Sequence, residues 1–297
     1  MPELPEVETV RRSLERMLVG QSLARIDLRR ADLRFPFPED FAARLTGRTI
    51  TAVRRRAKYL QLMLDSRDVL IVHLGMTGRF IMGTPGADTV RGAVVGDYVY
   101  ETGHLPQHDH VVLETAGGLR ITYNDPRRFG YMLLEAEADL EAHALFRALG
   151  VEPLGNELDA ALLAKRAAGR KADLKAFLMD QRNIAGLGNI YVCEALFRAG
   201  SSPRRRAGTL AGRGGRPTDR AARLVQAIRH VLTERVEAGG STLRDYRQPD
   251  GRAGAFQDRH DVYDREGEAC RKPGCGGIIR RITQSGRSTF YCPRCQT

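Results

Sequence analysis

The chain has 297 residues and a mass of 33.0 kDa, which is enough for two domains and a sizeable core. Its 47 Lys and Arg exceed its 36 Asp and Glu, and the net charge of +11 predicts a polyanionic partner, either nucleic acid or an anionic membrane surface. A hydrophobic content of 42% excludes a disordered basic tail protein. Since the sequence has no apolar run of about 18 residues, we expect no membrane-spanning segment, and since it has no apolar secretion signal, we expect a reducing, cytoplasmic environment.

Regular structure is predicted along most of the first half. The acidic amino-terminal segment has apolar residues at helical spacing from Val7 to Leu18, which predicts an amphipathic helix. From about 22 to 134, short alternating and apolar runs predict several strands in a sandwich or barrel. A Gly-rich segment over 83–107 is predicted to be a long loop between them.

Helical periodicity returns in the second half and predicts helices over about 137–149, 172–181, 189–200 and 218–238. Between the last two, residues 201–220 contain six arginines and one acid, and we predict a mobile basic loop. We therefore expect an α+β protein with a β-rich domain at 1–134, a helical domain at 137–240 and a cysteine-bearing tail at 241–297.

Four cysteines near the carboxyl end have the spacing C-x4-C-x16-C-x2-C: Cys270, Cys275, Cys292 and Cys295. This spacing predicts one four-thiolate Zn²⁺ site on a β-hairpin, which is structural because a closed site leaves no position for substrate. Two disulfides or four unrelated thiols are the alternative. Arg280, Arg281 and Arg287 lie between the cysteine pairs, and such a basic hairpin either contacts nucleic acid or is simply a solvated surface.

Two short motifs also suggest contacts with a polyanion. Asn189 follows Gly186–Gly188 and begins an apolar helix, whose free N–H groups could bind phosphate, although many such helices bind nothing. The sequence DPRRFG at Asp125–Gly130 predicts a turn that could insert Phe129 between stacked bases. Met76 could be a second apolar wedge. The alternative places Phe129 in the core.

The order of these motifs resembles the bacterial formamidopyrimidine-DNA glycosylase family. The resemblance spans nearly the whole chain and is carried by PELPEVE at the amino terminus, Lys58 in AKYL, HLGMTG, DPRRFG, GLGNIY and the zinc hairpin. It implies an N-terminal β-sandwich with flanking helices, followed by a helix–two-turn–helix domain, a lid loop and a zinc β-hairpin. The implied activity is that of a monomeric, nucleoid-associated repair enzyme acting on double-stranded DNA that carries oxidised purines or abasic sites.

The resemblance also implies catalytic roles. Pro2, exposed by removal of Met1, would attack C1′ of a damaged nucleotide, and its α-amino pKa of about 8 leaves far more neutral amine than a lysine would. Glu3 would be its acid/base partner, with Glu6 and Glu194 at most supporting. Lys58 would donate a proton in β-elimination, and Arg287 would serve δ-elimination. From the residues alone, Pro2 is a helix-starting proline and Lys58 ends a basic strand.

Implied DNA contacts are spread along the chain: His108, Arg127, Arg170, Asn189 and Lys175 match or lie near DNA-binding positions of the family. Arg170 falls near a family lysine, so the charge is kept but not the identity. Met76, Arg127 and Phe129 would fill the gap left by an extruded nucleotide, with Arg127 facing the orphaned cytosine. The loop 249–257 resembles the family's lid but has Ala255 where tyrosine is common.

Rival functions stay open at this point. A relative resembling endonuclease VIII would prefer oxidised pyrimidines, although the PELPEVE string favours the purine enzyme. A catalytically silent binder of lesions would use the same basic surface, and retention of Met1 would favour it. A basic protein for RNA or membranes explains neither the order of the motifs nor the lid.

Overall fold

The computed structural model describes residues 2–83, 93–95, 105–239 and 260–297. The chain divides into two compact units. The first unit comprises Met1–Arg147 and Ala238–Gly254, and the second comprises Ala148–Glu237 and Ala255–Thr297. The predicted lid at 249–257 and most of the loop at 83–107 lie outside the described residues.

The described part of the first unit consists of two antiparallel sheets and two helices. The helices are α1 (Leu4–Leu18) and α2 (Phe41–Leu45). The strands are β1 (Leu23–Leu28), β2 (Ile50–Arg56), β3 (Tyr59–Leu64), β4 (Asp68–His73), β5 (Arg79–Gly83), β6 (Ala93–Val95), β7 (Asp109–Thr115), β8 (Arg120–Asn124) and β9 (Tyr131–Ala136). One sheet has the order β2-β3-β4-β9, and the other has the order β1-β7-β8-β5-β6.

One hydrophobic core joins α1 to both sheets. The apolar face of α1, from Val7 to Leu18, is buried together with β3 residues such as Leu60 and β7–β8 residues such as Val111 and Ile121. Each fully buried aliphatic side chain contributes about 1.5–3 kcal/mol relative to exposure. The amino terminus of α1 is therefore anchored to the sheets rather than free to fray.

The described part of the second unit combines four helices with a hairpin: α3 (Ala160–Ala167), α4 (Leu174–Met179), α5 (Asn189–Arg198), α6 (Asp219–Glu237), β10 (Arg280–Gln284) and β11 (Arg287–Tyr291). Helix α5 packs against α4, α6 and β11. Cys193 and Phe197 of α5 form a small core with Val262, Ile279 and Phe290, so the hairpin is fastened to the helices. The α+β class is confirmed.

Three expectations differ from the structure. Residues 137–149 form a 3₁₀ turn at Glu137–Asp139 followed by irregular turns, because among the predicted helix residues only Phe146 is buried. Helix α3 was not predicted, although Asp159 caps it by accepting the Leu162 N–H at 2.6 Å. The basic segment 201–220 contains two short 3₁₀ helices instead of an unstructured loop. No helix in the described ranges is long and apolar enough to cross a bilayer.

Candidate nucleic-acid interface and catalytic residues

The amino-terminal turn is fixed by one of its own carboxylates. The backbone N–H of Glu3 donates to Oε2 of Glu6 at 2.8 Å, and the N–H of Val7 donates to the Glu3 carbonyl at 3.1 Å. Pro2 is buried, and Glu3 is only 3% exposed. Because α1 is anchored in the core, Pro2 and Glu3 occupy a defined position at its start, and Glu6 acts on them as a cap.

Lys58 lies in the two-residue turn between β2 and β3. Its neighbour Ala57 has a left-handed φ of 52°, and the Arg55 guanidinium donates to the Ala57 carbonyl at 2.9 Å. Arg55 also pairs with Glu8 of α1, with Nε 3.0 Å from Oε2. Lys58 is 8% exposed. These contacts tie the turn that carries Lys58 to the helix that begins beside Pro2.

A ring cluster lies beside the Lys58 turn, where the start of β3 pairs with the end of β4. His73 stacks on Tyr131 with ring centroids 5.1 Å apart, contacts Tyr59, and accepts the Gly75 N–H at Nδ1 over 3.1 Å. Burial, together with the positive charges of Lys58 and Arg34, lowers the pKa of His73 to about 4. His73 is therefore neutral near pH 7, with its proton on Nε2.

Asp125 organises the DPRRFG turn from inside. It is fully buried, and its Oδ2 accepts the N–H of Gly130 at 2.8 Å while its other oxygen accepts the Thr77 hydroxyl. The Thr77 oxygen accepts the backbone N–H of Arg127 at 3.2 Å. The His108 carbonyl accepts the Asp125 N–H at 3.0 Å, which places His108 next to the turn. Sequence reasoning overlooked Asp125, because its role depends on contacts with two separate segments.

The loop 74–78 and the turn 125–130 fit against each other without spare room. A Cβ on Gly75 would lie 2.3 Å from backbone atoms of Phe129 and Gly130, so only glycine allows this approach. Phe129 is 42% exposed, and the Arg127 guanidinium carbon lies 4.7 Å from its ring centroid. Met76 is half-buried. The alternative that placed Phe129 in the core is wrong, and its exposed ring suits contact with bases.

Asn189 and Lys175 converge on the hairpin. The Ser288 carbonyl accepts Nδ2 of Asn189 at 2.9 Å and Nζ of Lys175 at 3.1 Å, and Nζ also donates to the Thr289 hydroxyl at 2.6 Å. Lys175 is 1% exposed. Its ammonium thus points at the hairpin and not at solvent, from which a DNA phosphate would approach. Asn189 and Lys175 therefore both hold the backbone of Ser288, which follows Arg287 in the chain.

Arg287 projects from the end of a tight turn. Ser285 and Gly286 both have positive φ, 48° and 72°, as a type I′ hairpin turn requires. Arg287 pairs with Gln284 across the hairpin and is exposed. Arg170 is also exposed, beside a cavity of about 530 Å³ that Arg166 and Phe177 also line. Both guanidiniums are available to an external anion.

The four cysteines come together beneath the hairpin. Their Sγ atoms all lie within 4.8 Å of one another, with Cys275–Cys292 at 3.6 Å and Cys270–Cys295 at 3.8 Å. A disulfide needs about 2.05 Å, whereas a tetrahedral zinc with Zn–S bonds of about 2.3 Å separates its sulfurs by about 3.8 Å. A Cβ on Gly277 would lie 2.6 Å from Sγ of Cys292, so glycine leaves room for the thiolates. The disulfide alternative is wrong.

Comparison with known proteins identifies the family. Three family models match consecutive segments: the formamidopyrimidine-DNA glycosylase N-terminal domain at 1–132, its H2TH domain at 149–247, and a zinc finger found in FPG and IleRS at 267–297. A formamidopyrimidine-DNA glycosylase from Beijerinckia indica is 59% identical over 297 residues, covering both chains completely. The chain belongs to the formamidopyrimidine-DNA glycosylase family. A second glycosylase, from a Chelativorans species, is 58% identical over 300 residues and also covers both chains completely.

Solved structures of the family agree with this fold. The Lactococcus lactis Fpg in complex with DNA containing an abasic site is 32% identical, with a TM-score of 0.83 and complete coverage of both chains. The same protein with DNA containing an oxidized pyrimidine is 31% identical, with a TM-score of 0.82 and complete coverage of both chains. The predicted resemblance is confirmed. The zinc-finger match and the thiolate geometry together assign one structural Zn²⁺ to this glycosylase, held by its four clustered cysteines.

A buried carboxylate on α5 anchors the segment that precedes the zinc tail. Glu194 is fully buried and accepts three backbone N–H groups, from Asp261 at 2.8 Å, Val262 at 3.0 Å and Tyr263 at 2.9 Å. An acid inside the apolar run NIYVCEALF is the signal that marks it in the sequence. In this glycosylase, Glu194 supports the backbone around Tyr263, whose ring packs on Phe290 of β11.

Proposed function

We propose that this chain is a bifunctional DNA glycosylase and AP lyase of base excision repair that excises 8-oxoguanine and formamidopyrimidines from duplex DNA. It works as a monomer, and its DNA binding associates it with the nucleoid. The observation that carries the proposal is the position of Pro2 and Glu3 at a capped, core-anchored helix start, joined through Arg55 and Glu8 to the turn that bears Lys58. The complex of the Lactococcus lactis relative with DNA containing an abasic site supports damaged DNA as the substrate.

Base release begins at the amino terminus. After Met1 is removed, the neutral secondary amine of Pro2 attacks C1′ and forms a C–N bond. The bond from C1′ to the damaged base breaks, and the departing base takes the electron pair and a proton. Glu3, adjacent to the nucleophile, moves protons between the amine, the sugar ring oxygen and the base. Opening of the sugar ring then leaves an iminium ion between Pro2 and C1′.

Strand cleavage follows from the acidity of the iminium. Loss of a C2′ proton sends electrons toward C3′, and the 3′ phosphate leaves in β-elimination. A second elimination releases the 5′ phosphate, and water then hydrolyses the imine to free Pro2. Lys58 supplies a proton in the β-elimination. The Arg287 guanidinium stabilises the leaving phosphate electrostatically.

Other side chains hold the distorted DNA. Met76, Arg127 and Phe129 fill the space of the extruded nucleotide, with Arg127 facing the orphaned cytosine, and thereby offset an unstacking cost of a few kcal/mol. His108, Arg170 and Asn189 contact the phosphate backbone. Because the Lys175 ammonium is directed at Ser288 and Thr289, we assign it to positioning the hairpin beside Arg287.

Borohydride trapping tests the proposal. Reduction of the iminium joins the protein covalently to a duplex containing 8-oxoguanine, and intact mass first establishes that Met1 is absent. A tag that masks the Pro2 nitrogen should abolish the adduct while leaving binding to a non-reactive abasic analogue intact. No adduct from the unmasked protein, or a full-strength adduct from the masked one, contradicts the mechanism. Retained Met1 with tight lesion binding favours a silent binder.

A second substrate class deserves a direct comparison, because the Lactococcus lactis relative has been captured with oxidized-pyrimidine DNA. Excision from duplexes containing 8-oxoguanine and from duplexes containing thymine glycol should be measured side by side. We expect faster excision of 8-oxoguanine. Preference for thymine glycol would assign the chain an activity like that of endonuclease VIII, with the same nucleophile.

A further inference from the structure

The second unit carries a group of arginines without acidic partners. Within the described ranges, these six guanidiniums have no Asp or Glu side chain at ion-pair distance: Arg204, Arg206, Arg213, Arg216, Arg220 and Arg223. We call them the arginine surface. The only acid between 201 and 223 is Asp219. In contrast, arginines such as Arg12 and Arg44 are paired with carboxylates.

The backbone beneath the arginine surface is held in place. Ala207 and Leu210 are fully buried, and the Leu210 carbonyl accepts the N–H and the hydroxyl of Thr218 at 3.1 and 3.0 Å. The Gly212 N–H donates to the Arg216 carbonyl at 2.8 Å, which closes a tight turn. Arg213 and Arg216 are therefore exposed at an anchored tip, so little conformational entropy of the backbone is lost when they bind an anion.

This surface adjoins the residues proposed to contact DNA in the same unit. The Pro203 carbonyl accepts Nε2 of Gln284, the hairpin partner of Arg287, at 3.3 Å. On the other side, the N–H of Gly208 donates to the Arg170 carbonyl at 3.0 Å. The segment bearing the arginines is thus hydrogen-bonded to the hairpin at Pro203 and to the Arg170 backbone at Gly208.

One member of this group, Arg220, lies close to other positive charges. Burial lowers the pKa of the Arg220 guanidinium below its usual value, and the positive charges of Arg205 and Arg223 lower it further. Like charges held together in this way are unfavourable until a counter-charge approaches. A regularly spaced polyanion relieves this repulsion, and arginine forks bind phosphate with two parallel hydrogen bonds.

We propose that the arginine surface is an auxiliary site for the phosphate backbone of duplex DNA, which extends the contact beyond the lesion without reading sequence. The proposal rests on the proposed function, because it takes duplex DNA as the substrate. Each phosphate contact adds about 0.9 to the slope of log affinity against log salt. Each contact therefore makes the affinity fall by a further factor of about three when the salt rises from about 50 to 200 mM, and loss of one contact removes that factor.

The test is a triple variant, Arg204→Gln, Arg213→Gln and Arg216→Gln, whose sites are exposed. The matched control is Arg12→Gln, Arg44→Gln and Arg54→Gln, which changes the net charge equally but removes guanidiniums already paired with Glu8, Asp68 and Glu137. Binding of abasic-analogue duplexes of two lengths is measured over a salt series. Zinc content and thermal unfolding must match those of the unaltered protein, and the single variants Arg213→Gln and Arg216→Gln repeat the test with less perturbation.

We expect the triple variant to lower the salt slope by about 2–3 and to abolish the advantage of the long duplex, while excision from the short duplex is unchanged. The proposal is overturned if the triple variant keeps the salt slope of the unaltered protein, or if the control variant loses as much slope. It is also overturned if the triple variant binds only RNA or an acidic polypeptide more weakly, and duplex DNA as before. Borohydride trapping of the unaltered protein distinguishes failure of the auxiliary site from failure of the proposed catalytic function. An active enzyme with an unaltered slope refutes only the auxiliary site, and an inactive protein whose slope falls refutes only the catalytic proposal.

Discussion

Replacing Lys175 with methionine tests whether this buried lysine supports the hairpin or reaches the DNA. The substitution removes the ammonium and keeps an unbranched apolar side chain of similar length. In the structure, Nζ lies 3.1 Å from the Ser288 carbonyl oxygen and 2.6 Å from the Thr289 hydroxyl oxygen, and the residue is 1% exposed. We therefore expect a loss of stability and of Arg287 alignment, with no loss of a phosphate contact.

The size of the effect follows from these contacts. Two hydrogen bonds from a charged donor contribute about 3–6 kcal/mol together. Removing a buried charge offsets several kcal/mol of that loss, and the Ser288 carbonyl keeps its bond from Asn189 at 2.9 Å. A net decrease of about 2 kcal/mol in the free energy of unfolding corresponds to about 4–8 °C in melting temperature.

The assay combines thermal unfolding of the zinc-loaded protein with the salt dependence of duplex binding. Lys171→Met is the matched control, because Lys171 is exposed on the same segment and loses the same charge. We expect Lys175→Met to lower the melting temperature and slow δ-elimination with an unchanged salt slope. An unchanged melting temperature together with a slope smaller by about 0.9 would show that Lys175 contacts a phosphate, and would refute the reasoning.

Three further predictions concern other parts of the molecule. Removing zinc with a chelator should unfold the tail that presents Arg287 and abolish δ-elimination, and a δ-elimination product from demonstrably metal-free protein would contradict this. Thr77→Val removes the link between Asp125 and the Arg127 backbone; discrimination of the base opposite an abasic analogue should weaken, and unchanged discrimination would disprove the link's importance. The pKa of His73 is lowered to about 4 in the folded chain from 6.5. Because the unfolded chain takes up a proton on His73 before the folded chain does, the free energy of unfolding should fall by roughly 1 kcal/mol per pH unit as the pH drops from about 6.5 toward 4. Urea unfolding near pH 7 and pH 5 should show a larger loss for the unaltered protein than for His73→Asn, and equal losses would count against this assignment.

The sequence predicts an element well where its apolar periodicity and its start and stop residues indicate the same helix or strand. The helix expected at 218–238 is found at Asp219–Glu237, where a long apolar face ends at paired glycines. The helix expected at 137–149 has apolar residues at suitable spacing but no packing surface that buries them, and only Phe146 is covered. Periodicity shows which residues could share a face, and tertiary contacts decide whether that face is buried.

The same limit applies to the site. The cysteine spacing predicted the thiolate cluster, because metal ligation is encoded in short intervals along the chain. The partners of Lys175 are more than a hundred residues away, and those of Glu194 are about seventy residues away. No local pattern could connect them. Whether Phe129 faced solvent or the core depended on Asp125 and Gly75, which fix its turn from two other segments.

The close fit of Gly75 against the Phe129–Gly130 backbone limits how these two loops can be re-engineered. Transplanting either loop alone from a homologue would bring a backbone of slightly different shape against an immovable neighbour. Donor segments would have to be exchanged as a matched pair, together with the threonine and aspartate that join them. Single-site changes at Met76, Arg127 and Phe129, the side chains proposed to fill the gap of an extruded nucleotide, leave this backbone fit intact.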